Sequence, residues 1–229
     1  MRKSKLKKVL IVLLVLIIAF IFYVATVIRN SKQMTFRQKV LKAIYPAFMW
    51  LNKLAGKKSK VMDNSQAFAP PRSLYELEVE LNNGDRLKLE TLRGKKILLV
   101  NTASDCGYTN QYADLQKLFE VNQDKLVVIA FPANDFKQQE KGNDEAIAAF
   151  CKKNYGVSFP LATKSSVVKG DQQNEIFKWL TDKNRNGWND QQPTWNFSKY
   201  LVNEQGLLTN YFDPAVSPES DEVKNAINR

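Results

Sequence analysis

Two cysteines carry the nucleophilic chemistry that this sequence offers, because its 229 residues include no histidine. Cys106 lies in the turn 101–109, between an apolar, β-branched run at 97–100 and a helical pattern at 115–119. Unpaired N–H groups and the dipole at a helix amino end favour negative charge, and the thiolate is the nucleophilic form of cysteine. The turn therefore predicts a thiol that ionises more readily than a free one. A buried, inert cysteine is the alternative.

The lack of histidine excludes His-ligated metal sites and nucleophiles that a histidine base activates. Cys106 and Cys151 are 45 residues apart, which fits neither a C-x-x-C motif nor a zinc-binding set. Thr109 stands where the second cysteine of a C-x-x-C motif would lie. We therefore expect no bound metal or cofactor, and no dithiol exchange of the ordinary thioredoxin kind.

The formal net charge of +11 is concentrated near the amino end. Residues 1–60 contain 14 Lys and Arg and no Asp or Glu, whereas residues 61–229 contain 20 basic and 23 acidic residues. A basic segment beside an apolar one suits an anionic lipid surface better than it suits DNA or RNA. The charge pattern therefore predicts membrane lipid, and no nucleic acid, as a partner.

Residues 9–28 form an uncharged run, rich in Val, Leu and Ile, that is long enough to cross a bilayer. A cleaved signal peptide is the alternative, but its apolar core is shorter as a rule, and Ala25-Thr26-Val27 is a poor cleavage site. We predict that residues 1–30 are a basic tail and an uncleaved single-pass anchor. Basic residues flank the run almost equally, and the short basic tail favours a position of the rest of the chain on the non-cytoplasmic side.

Residues 31–72 are predicted to form a juxtamembrane amphipathic segment and a linker. Within 34–55, basic residues lie off an apolar stripe with helical spacing, as in a helix that lies among lipid headgroups. An ordinary amphipathic helix packed on the domain is the alternative. Pro46 predicts a kink or a break, and the polar segment 56–72 indicates a tether. The apolar stripe consists of Phe36, Val40, Ile44, Phe48 and Leu51.

The globular domain is predicted to span 73–229. Buried strands are expected at 97–100 and 126–131, and a helix capped by Asn143 is expected to run to Tyr155. Alternating strands and helices that close with a hairpin indicate a thioredoxin-like α/β fold, a central mixed sheet flanked by helices. Further predicted elements are hairpins at 74–89 and 197–212, a strand at 159–162, a helix at 171–180 and a last helix opened by Ser217 and Pro218.

Four ordered segments resemble the glutathione peroxidase family, and the resemblance covers about residues 73–229. The segments are N-T-A-S-D-C-G-Y-T at 101–109, F-P-A-N-D-F-K-Q-Q-E at 131–140, Y-G-V-S-F-P at 155–160 and W-N-F-S-K-Y-L at 195–201. The catalytic tetrad that the resemblance implies is Cys106, Gln139, Trp195 and Asn196. The departures from the family's pattern, which reshape the loop that carries the glutamine, are Ala133, Asp135, Lys137 and Lys141.

The resemblance implies a thiol-dependent peroxidase that reduces hydrogen peroxide and organic or lipid hydroperoxides. The Cys106 thiolate would become a sulfenic acid, while side-chain amide and indole N–H groups stabilise the charges. Cys151 stands where thioredoxin-using members carry a resolving cysteine, which implies a Cys106–Cys151 disulfide that a thioredoxin-like protein, or glutathione, reduces. We expect this pairing to need local unwinding, because Cys151 is predicted on a helix face. A buried helix cysteine is the alternative.

The segment between Leu180 and Trp195 has 14 residues, fewer than in the family's tetrameric, glutathione-using members. The resemblance therefore implies a monomer with an open site, which suits lipid hydroperoxides when it lies beside a bilayer. Two other functions stay open. One is a membrane-tethered peroxide sensor or relay that passes its disulfide to a partner protein, and the other is a non-catalytic thioredoxin-like interaction module. The joint presence of the four tetrad residues speaks against the module.

Overall fold

The computed structural model describes residues 2–31, 33–54 and 59–229. Its amino-terminal part consists of two helices, α1 (Arg2–Asn30) and α2 (Phe36–Leu54). Within α1, Lys7–Asn30 is a stretch of 24 residues that is long and apolar enough to cross a membrane. α2 continues through Pro46 as one helix, so this proline does not split it in two.

The domain is built around a five-stranded mixed sheet. Its strands are β1 (Val61–Asp63), β4 (Lys96–Thr102), β5 (Leu126–Pro132), β6 (Lys199–Val202) and β7 (Leu208–Phe212), and a separate hairpin consists of β2 (Glu78–Glu80) and β3 (Arg86–Lys88). The order in the sheet is β1-β7-β6-β4-β5. β4 and β5 are parallel, and the other neighbouring pairs are antiparallel. The predicted mixed sheet of a thioredoxin-like fold is confirmed.

Helices cover both faces of this sheet. They are α3 (Gln111–Val121), α4 (Asp144–Tyr155), α5 (Glu175–Leu180), α6 (Lys183–Asn186) and α7 (Asp221–Asn228). Successive side chains of a strand point to opposite faces. In β4, Leu98 and Val100 join the apolar cluster of α3, α4 and α7, whereas Ile97 and Leu99 join the cluster that contains α5. Packing on both faces therefore fixes β4, and with it the turn that follows.

The predicted helix 144–155 is confirmed together with its cap, since the Asn143 side chain accepts a hydrogen bond from the Ala146 N–H at 3.1 Å. The prediction for the last helix is wrong at its start. Ser220 caps it, with its hydroxyl 3.4 Å from the Val223 nitrogen. Ser217 opens only the preceding turn.

Two predicted elements are shorter than expected. The strand predicted at 159–162 is reduced to isolated bridges, one of which joins Leu161 to the edge of β5. The helix predicted at 171–180 begins only at Glu175, because the Asn174 side chain caps it there.

The predicted tether 56–72 is not wholly a linker. Its residues Val61–Asp63 form β1, which pairs antiparallel with β7 at one edge of the sheet. The backbone N–H of Lys60 also donates to the Asp213 carboxylate at 2.8 Å. The sheet therefore begins before position 73, and the chain leading from α2 is fastened to the domain soon after residue 59.

Candidate active site

Cys106 lies in the turn between β4 and α3, and Thr109 fixes its position. The Cys106 N–H donates to Thr109 Oγ1 at 2.9 Å, and that hydroxyl lies 2.8 Å from the Ala103 carbonyl oxygen. The Tyr108 N–H donates to the Cys106 sulfur at 3.4 Å. α3 begins only at Gln111, so Cys106 precedes the first helical turn, to which the effect of the dipole is largely confined.

The side-chain N–H groups of Trp195 and Asn196 also act on the Cys106 sulfur and lower the pKa of its thiol. Both belong to the loop before β6, and β6 pairs with β4, so the sheet brings this loop to the cysteine. The Asn101 side chain at the end of β4 donates to the Trp195 carbonyl at 3.1 Å. The Trp195 ring packs against Phe136 with ring centroids 5.5 Å apart. The loop is therefore fastened to β4 and to the loop that follows β5.

Gln139 reaches the site through Asn196, whose Nδ2 donates to Gln139 Oε1 at 3.0 Å. The backbone carbonyl of Gln139 accepts a hydrogen bond from the Asp105 N–H at 3.0 Å, beside the cysteine. The structure thus brings Trp195 and Asn196 close enough to the sulfur to influence its pKa. It places Gln139 next to Asn196, and all four tetrad residues lie together.

The loop that carries Gln139 contains the departures from the family's pattern, and Asp135 has a clear role in it. The Asp135 carboxylate accepts hydrogen bonds from the Ser166 hydroxyl at 2.8 Å and from the Val167 N–H at 2.9 Å. Lys137 and Gln138 adopt φ values of 52° and 51°, a left-handed conformation that costs energy in residues other than glycine. The anchor at Asp135 helps to hold this strained turn.

Cys106 is only 1% exposed. Burial raises the pKa of its thiol, while the donors from Tyr108, Trp195 and Asn196 lower it and the Asp105 carboxylate raises it further. The expectation of a readily ionised thiol is therefore wrong for this arrangement, because burial outweighs the three donors. The cover over the sulfur includes α2, described below.

Cys151 lies on α4, as predicted, and is 0% exposed. Both cysteines are free thiols. Burial raises the pKa of Cys151 to about 12, with Tyr112 beside it lowering the pKa and Glu140 raising it. Among the residues that the structure describes, Tyr112 is the one hydrogen-bonding group that lowers the pKa of Cys151, whereas three such groups act on Cys106.

Glu140 was not singled out by the sequence analysis. Its carboxylate accepts a hydrogen bond from the Ser104 hydroxyl at 2.9 Å, and burial raises its pKa to about 7. It directly follows Gln139 in the segment 131–140, so its place in that motif was the signal that could have found it.

Lys199 is a second buried ionisable group that was missed. Its ammonium donates to the Phe197 carbonyl at 2.7 Å and to the Asp213 and Pro214 carbonyls at 3.4 Å. Burial lowers its pKa to about 7. Phe197, directly after Asn196, has a φ of 71°, so Lys199 fastens a strained turn beside the tetrad. Its position within W-N-F-S-K was the available signal.

Comparison with known proteins gives a consistent result. Residues 74–181 match the family model described as glutathione peroxidase. The glutathione peroxidase homolog BsaA of Staphylococcus epidermidis is 40% identical over 158 residues, which are 69% of this chain and 98% of the relative. The glutathione peroxidase-like peroxiredoxin 2 of Saccharomyces cerevisiae is 36% identical over 160 residues, with the same two coverages.

A solved structure agrees with these relatives. The crystal structure of Trgpx in its apo form is similar with a TM-score of 0.53 and 28% sequence identity, and the match covers 69% of this chain and 97% of Trgpx. The relatives are thus matched over nearly their whole length. This chain belongs to the glutathione peroxidase family.

Proposed function

We propose that this chain is a membrane-anchored, thiol-dependent peroxidase that reduces hydrogen peroxide and organic or lipid hydroperoxides. The observation that carries the proposal is that N–H groups from the turn of Cys106 and from the loop before β6 act together on the Cys106 sulfur. Membership of the family supports it, as do the names of the BsaA and peroxiredoxin relatives.

In the first step the Cys106 thiolate attacks the terminal oxygen of the hydroperoxide. A sulfur–oxygen bond forms and the oxygen–oxygen bond breaks, so the cysteine is oxidised to a sulfenic acid. The departing oxygen takes up a proton and leaves as an alcohol, or as water when the substrate is hydrogen peroxide. The indole N–H of Trp195 and the amide of Asn196 stabilise the thiolate and the departing oxygen.

Cys151 is the proposed resolving residue. Its thiol attacks the sulfenic sulfur, so that a disulfide forms and water leaves, and a thioredoxin-like dithiol then takes over the disulfide and restores both thiols. Glutathione is the alternative reductant. Because Cys151 is fully buried about one turn before the end of α4 at Tyr155, we expect the carboxyl end of α4 to unwind when the disulfide forms.

α1 is the proposed anchor, with the domain on the non-cytoplasmic side and the chain monomeric. The length and apolar composition of Lys7–Asn30 support a span, although a signal sequence has the same properties. Extraction of membranes at alkaline pH, followed by amino-terminal sequencing, separates the two. Retention of residues 1–30 in the membrane pellet supports the anchor, and a mature soluble chain without them contradicts it.

A peroxide relay, which passes its disulfide to a partner protein, is the second candidate function. The burial of Cys106, which is 1% exposed, favours the relay, because a covered thiol is suited to occasional oxidation rather than to continuous turnover. A relay would be oxidised once by peroxide and would show little turnover with general reductants.

The test is steady-state turnover with NADPH, thioredoxin reductase and thioredoxin, on hydrogen peroxide and on phosphatidylcholine hydroperoxide. We expect NADPH oxidation with both substrates, and none in Cys106→Ser.

Stoichiometric oxidation of the chain without turnover, with glutathione and glutathione reductase also inactive as reductants, would favour the relay. Negligible turnover of the lipid hydroperoxide beside fast turnover of hydrogen peroxide contradicts the lipid substrate. Normal thioredoxin-linked turnover in Cys151→Ser contradicts the resolving role.

A further inference from the structure

α2 lies across the turn that contains Cys106. Arg37 at its start forms an ion pair with Asp105, the residue just before the cysteine. The neighbouring Gln38 Nε2 donates to the Ser104 carbonyl at 3.0 Å. The first turn of α2 is therefore fastened to the same short stretch of chain that holds the thiol.

The middle of α2 is fastened on other elements of the domain. Lys42 Nζ donates to the Asn154 carbonyl at 3.2 Å and lies 4.8 Å from the centre of the Tyr155 ring, both at the end of α4. The Tyr45 hydroxyl donates to the Asp114 carboxylate on α3 at 3.4 Å. α2 thus contacts the Cys106 turn, α3 and the carboxyl end of α4, which is the part of α4 expected to unwind when Cys151 reacts.

The space left between α2 and the thiol is very small. Leu41 and Lys42 of α2, together with Cys106, line a cavity of about 10 Å³. A single water molecule needs about 10–15 Å³ by this measure, so a hydroperoxide does not fit. With α2 in this position, neither substrate nor reductant reaches the sulfur from this side.

The face that α2 turns to the domain is the unusual feature. The contacts above are hydrogen bonds and an ion pair, to which Leu41 and part of Phe48 add apolar contact. Ala43 and Tyr45 of α2 are also buried, at 2% and 6% exposure. A surface helix of a globular protein ordinarily buries its apolar face. Here most of the apolar stripe is exposed, including Phe36 at 76% and Leu51 at 57%, and the adjacent Trp50 is 61% exposed. Polar contacts of this kind contribute little net stability, since water competes for the same groups.

A lipid surface is the occupant that fits the exposed stripe. α1, which is long enough to span a bilayer, ends at Asn30, and α2 begins at Phe36 and packs against it. Residues 1–60 carry no acidic side chain, which suits anionic headgroups. Tryptophan beside the stripe is typical of a helix at the membrane interface.

We propose that α2 is a lid that closes Cys106 when it lies on the domain and opens it when the apolar stripe enters an anionic lipid surface. This inference rests on the proposed function for the anchor and for the role of the thiol. Opening removes cover from the sulfur and leaves its donors in place, because Trp195 and Asn196 belong to the domain.

The change in cover also changes the acidity of the thiol. Burial is the main cause that raises the pKa of Cys106. The ionisable groups around it are Asp105 and Tyr108 in its own turn, Arg37 and Lys42 from α2, and Tyr155 from α4. Since departure of α2 reduces burial and keeps the N–H donors, the thiol of the open form ionises at lower pH, and its alkylation profile shifts in that direction.

The test is the rate at which iodoacetamide alkylates Cys106 in the full chain, read by mass spectrometry of the peptide that contains it. In neutral dodecyl maltoside micelles, Arg37→Ala/Lys42→Ala should raise this rate about fivefold to thirtyfold, since two weak contacts are lost. Lys39→Ala removes a charge from the same helix without removing any of the contacts described, and it should match the wild type. An unchanged rate in the double variant overturns the lid.

The lipid is tested in vesicles of phosphatidylcholine and phosphatidylglycerol. There the wild-type chain should be alkylated faster than Phe36→Asn/Leu51→Asn, whose stripe is made polar. Val121→Asn, which changes an equally exposed apolar residue on α3, should behave as the wild type. Equal rates for the wild type and the stripe variant overturn lipid as the partner. Alkylation needs neither peroxide nor reductant, so it reports on the lid even if the chain shows no peroxidase turnover.

Discussion

The two cysteines of this chain lie in one apolar cluster, and both are almost fully buried, yet their surroundings differ. Three N–H donors converge on the sulfur of Cys106. Burial raises the pKa of Cys151 to about 12, while Tyr112 beside it lowers the pKa and the charge of Glu140 raises it further. Burial alone therefore does not distinguish Cys106, the thiol proposed to react with peroxide, from Cys151, whereas the surrounding N–H groups do.

The covers of the two thiols differ as well. Cys151 faces the interior from α4, so its exposure requires part of a helix of the domain to unwind. Cys106 is covered in part by α2, a helix outside the sheet domain whose contacts with it include hydrogen bonds and an ion pair. A cover of this kind can leave without disturbing the core, which supports the proposal that Cys106 reacts with peroxide first.

The largest effect is expected from Asn196→Ala, which removes a donor from Cys106 and the hydrogen bond to Gln139. Loss of one preorganised donor of this kind costs about 10²–10³-fold in rate. We expect a loss of this size in the second-order rate of Cys106 oxidation by hydrogen peroxide, measured by stopped-flow fluorescence. Asn210→Ala, a buried asparagine on β7 away from the site, is the matched control. A loss below about tenfold removes the distinction between the thiols.

Lys199→Met tests the turn that presents Asn196. The variant leaves the Phe197 carbonyl without its buried donor, which lowers the free energy of unfolding by about 1–3 kcal/mol. The oxidation of Cys106 should become slower, whereas the reactivity of Cys151 should not change. The folded pKa is about 7 and the ordinary value is 10.5, so the unfolded chain binds more protons between these values. The contribution of Lys199 to the free energy of unfolding should therefore rise with pH across that window.

Thermal unfolding of the wild type and of Lys199→Met, followed from pH 7 to pH 10, measures this effect. The rise should be absent from the variant. Asp213 and Asp114, whose charges favour the protonated lysine, oppose the shift. If the stability difference between the wild type and the variant does not change across the window, the assignment is contradicted.

Glu140→Gln should reduce the difference between the two cysteines by changing Cys151 rather than Cys106. Without the Glu140 charge the pKa of Cys151 falls, because that charge raises it in the wild type. Burial raises the folded pKa of Glu140 from 4.5 to about 7, so the stability it contributes at low pH is lost as the pH rises through 7. At pH 8 the variant should be more stable than the wild type, by about 1–3 kcal/mol.

The melting temperature at pH 5 and at pH 8 measures the effect of Glu140→Gln. The gain should appear at pH 8 and shrink at pH 5, where the wild-type carboxyl is protonated. The hydrogen bond with Ser104 is available to glutamine as well. The same gain at both pH values would show that the charge of Glu140 is not its cause.

The smallest effect is expected from Lys137→Gly, in the strained turn before Gln139. Its φ of 52° favours glycine, so the variant should gain stability of up to about 1 kcal/mol. Lys141→Gly is the control at a position without positive φ in the same loop, and it should be neutral or destabilised. The free energy of unfolding in chemical denaturant distinguishes the two variants. A loss of stability in Lys137→Gly contradicts the claim that the backbone at Lys137 is strained.

The elements that hold the site were predictable because their signals are local. The uniform apolar run of β4 marks a strand buried on both faces, and Asn143 with two acidic residues after it marks the start of α4. The start of the last helix was misplaced, because Ser217 and Ser220 both precede acidic residues and the proline after Ser217 suits a first helical position.

The cover over Cys106 could not be predicted in the same way. Helical periodicity shows which residues of α2 share a face, but it does not show which face meets the domain. That choice depends on pairs such as Arg37 and Asp105, which are far apart in sequence. The direction of the pKa shift depended on the same contacts, and so the turn around Cys106 was predicted correctly while the acidity of its thiol was not.

The assignment of the first oxidation to Cys106 is tested most directly by adding one equivalent of hydrogen peroxide to the two single variants in the presence of dimedone. We expect a sulfenic acid adduct on Cys106 in Cys151→Ser, in near-stoichiometric amount, and none on Cys151 in Cys106→Ser. An adduct on Cys151 that forms as fast in the absence of Cys106 would show that the donors around Cys106 do not select the reactive thiol.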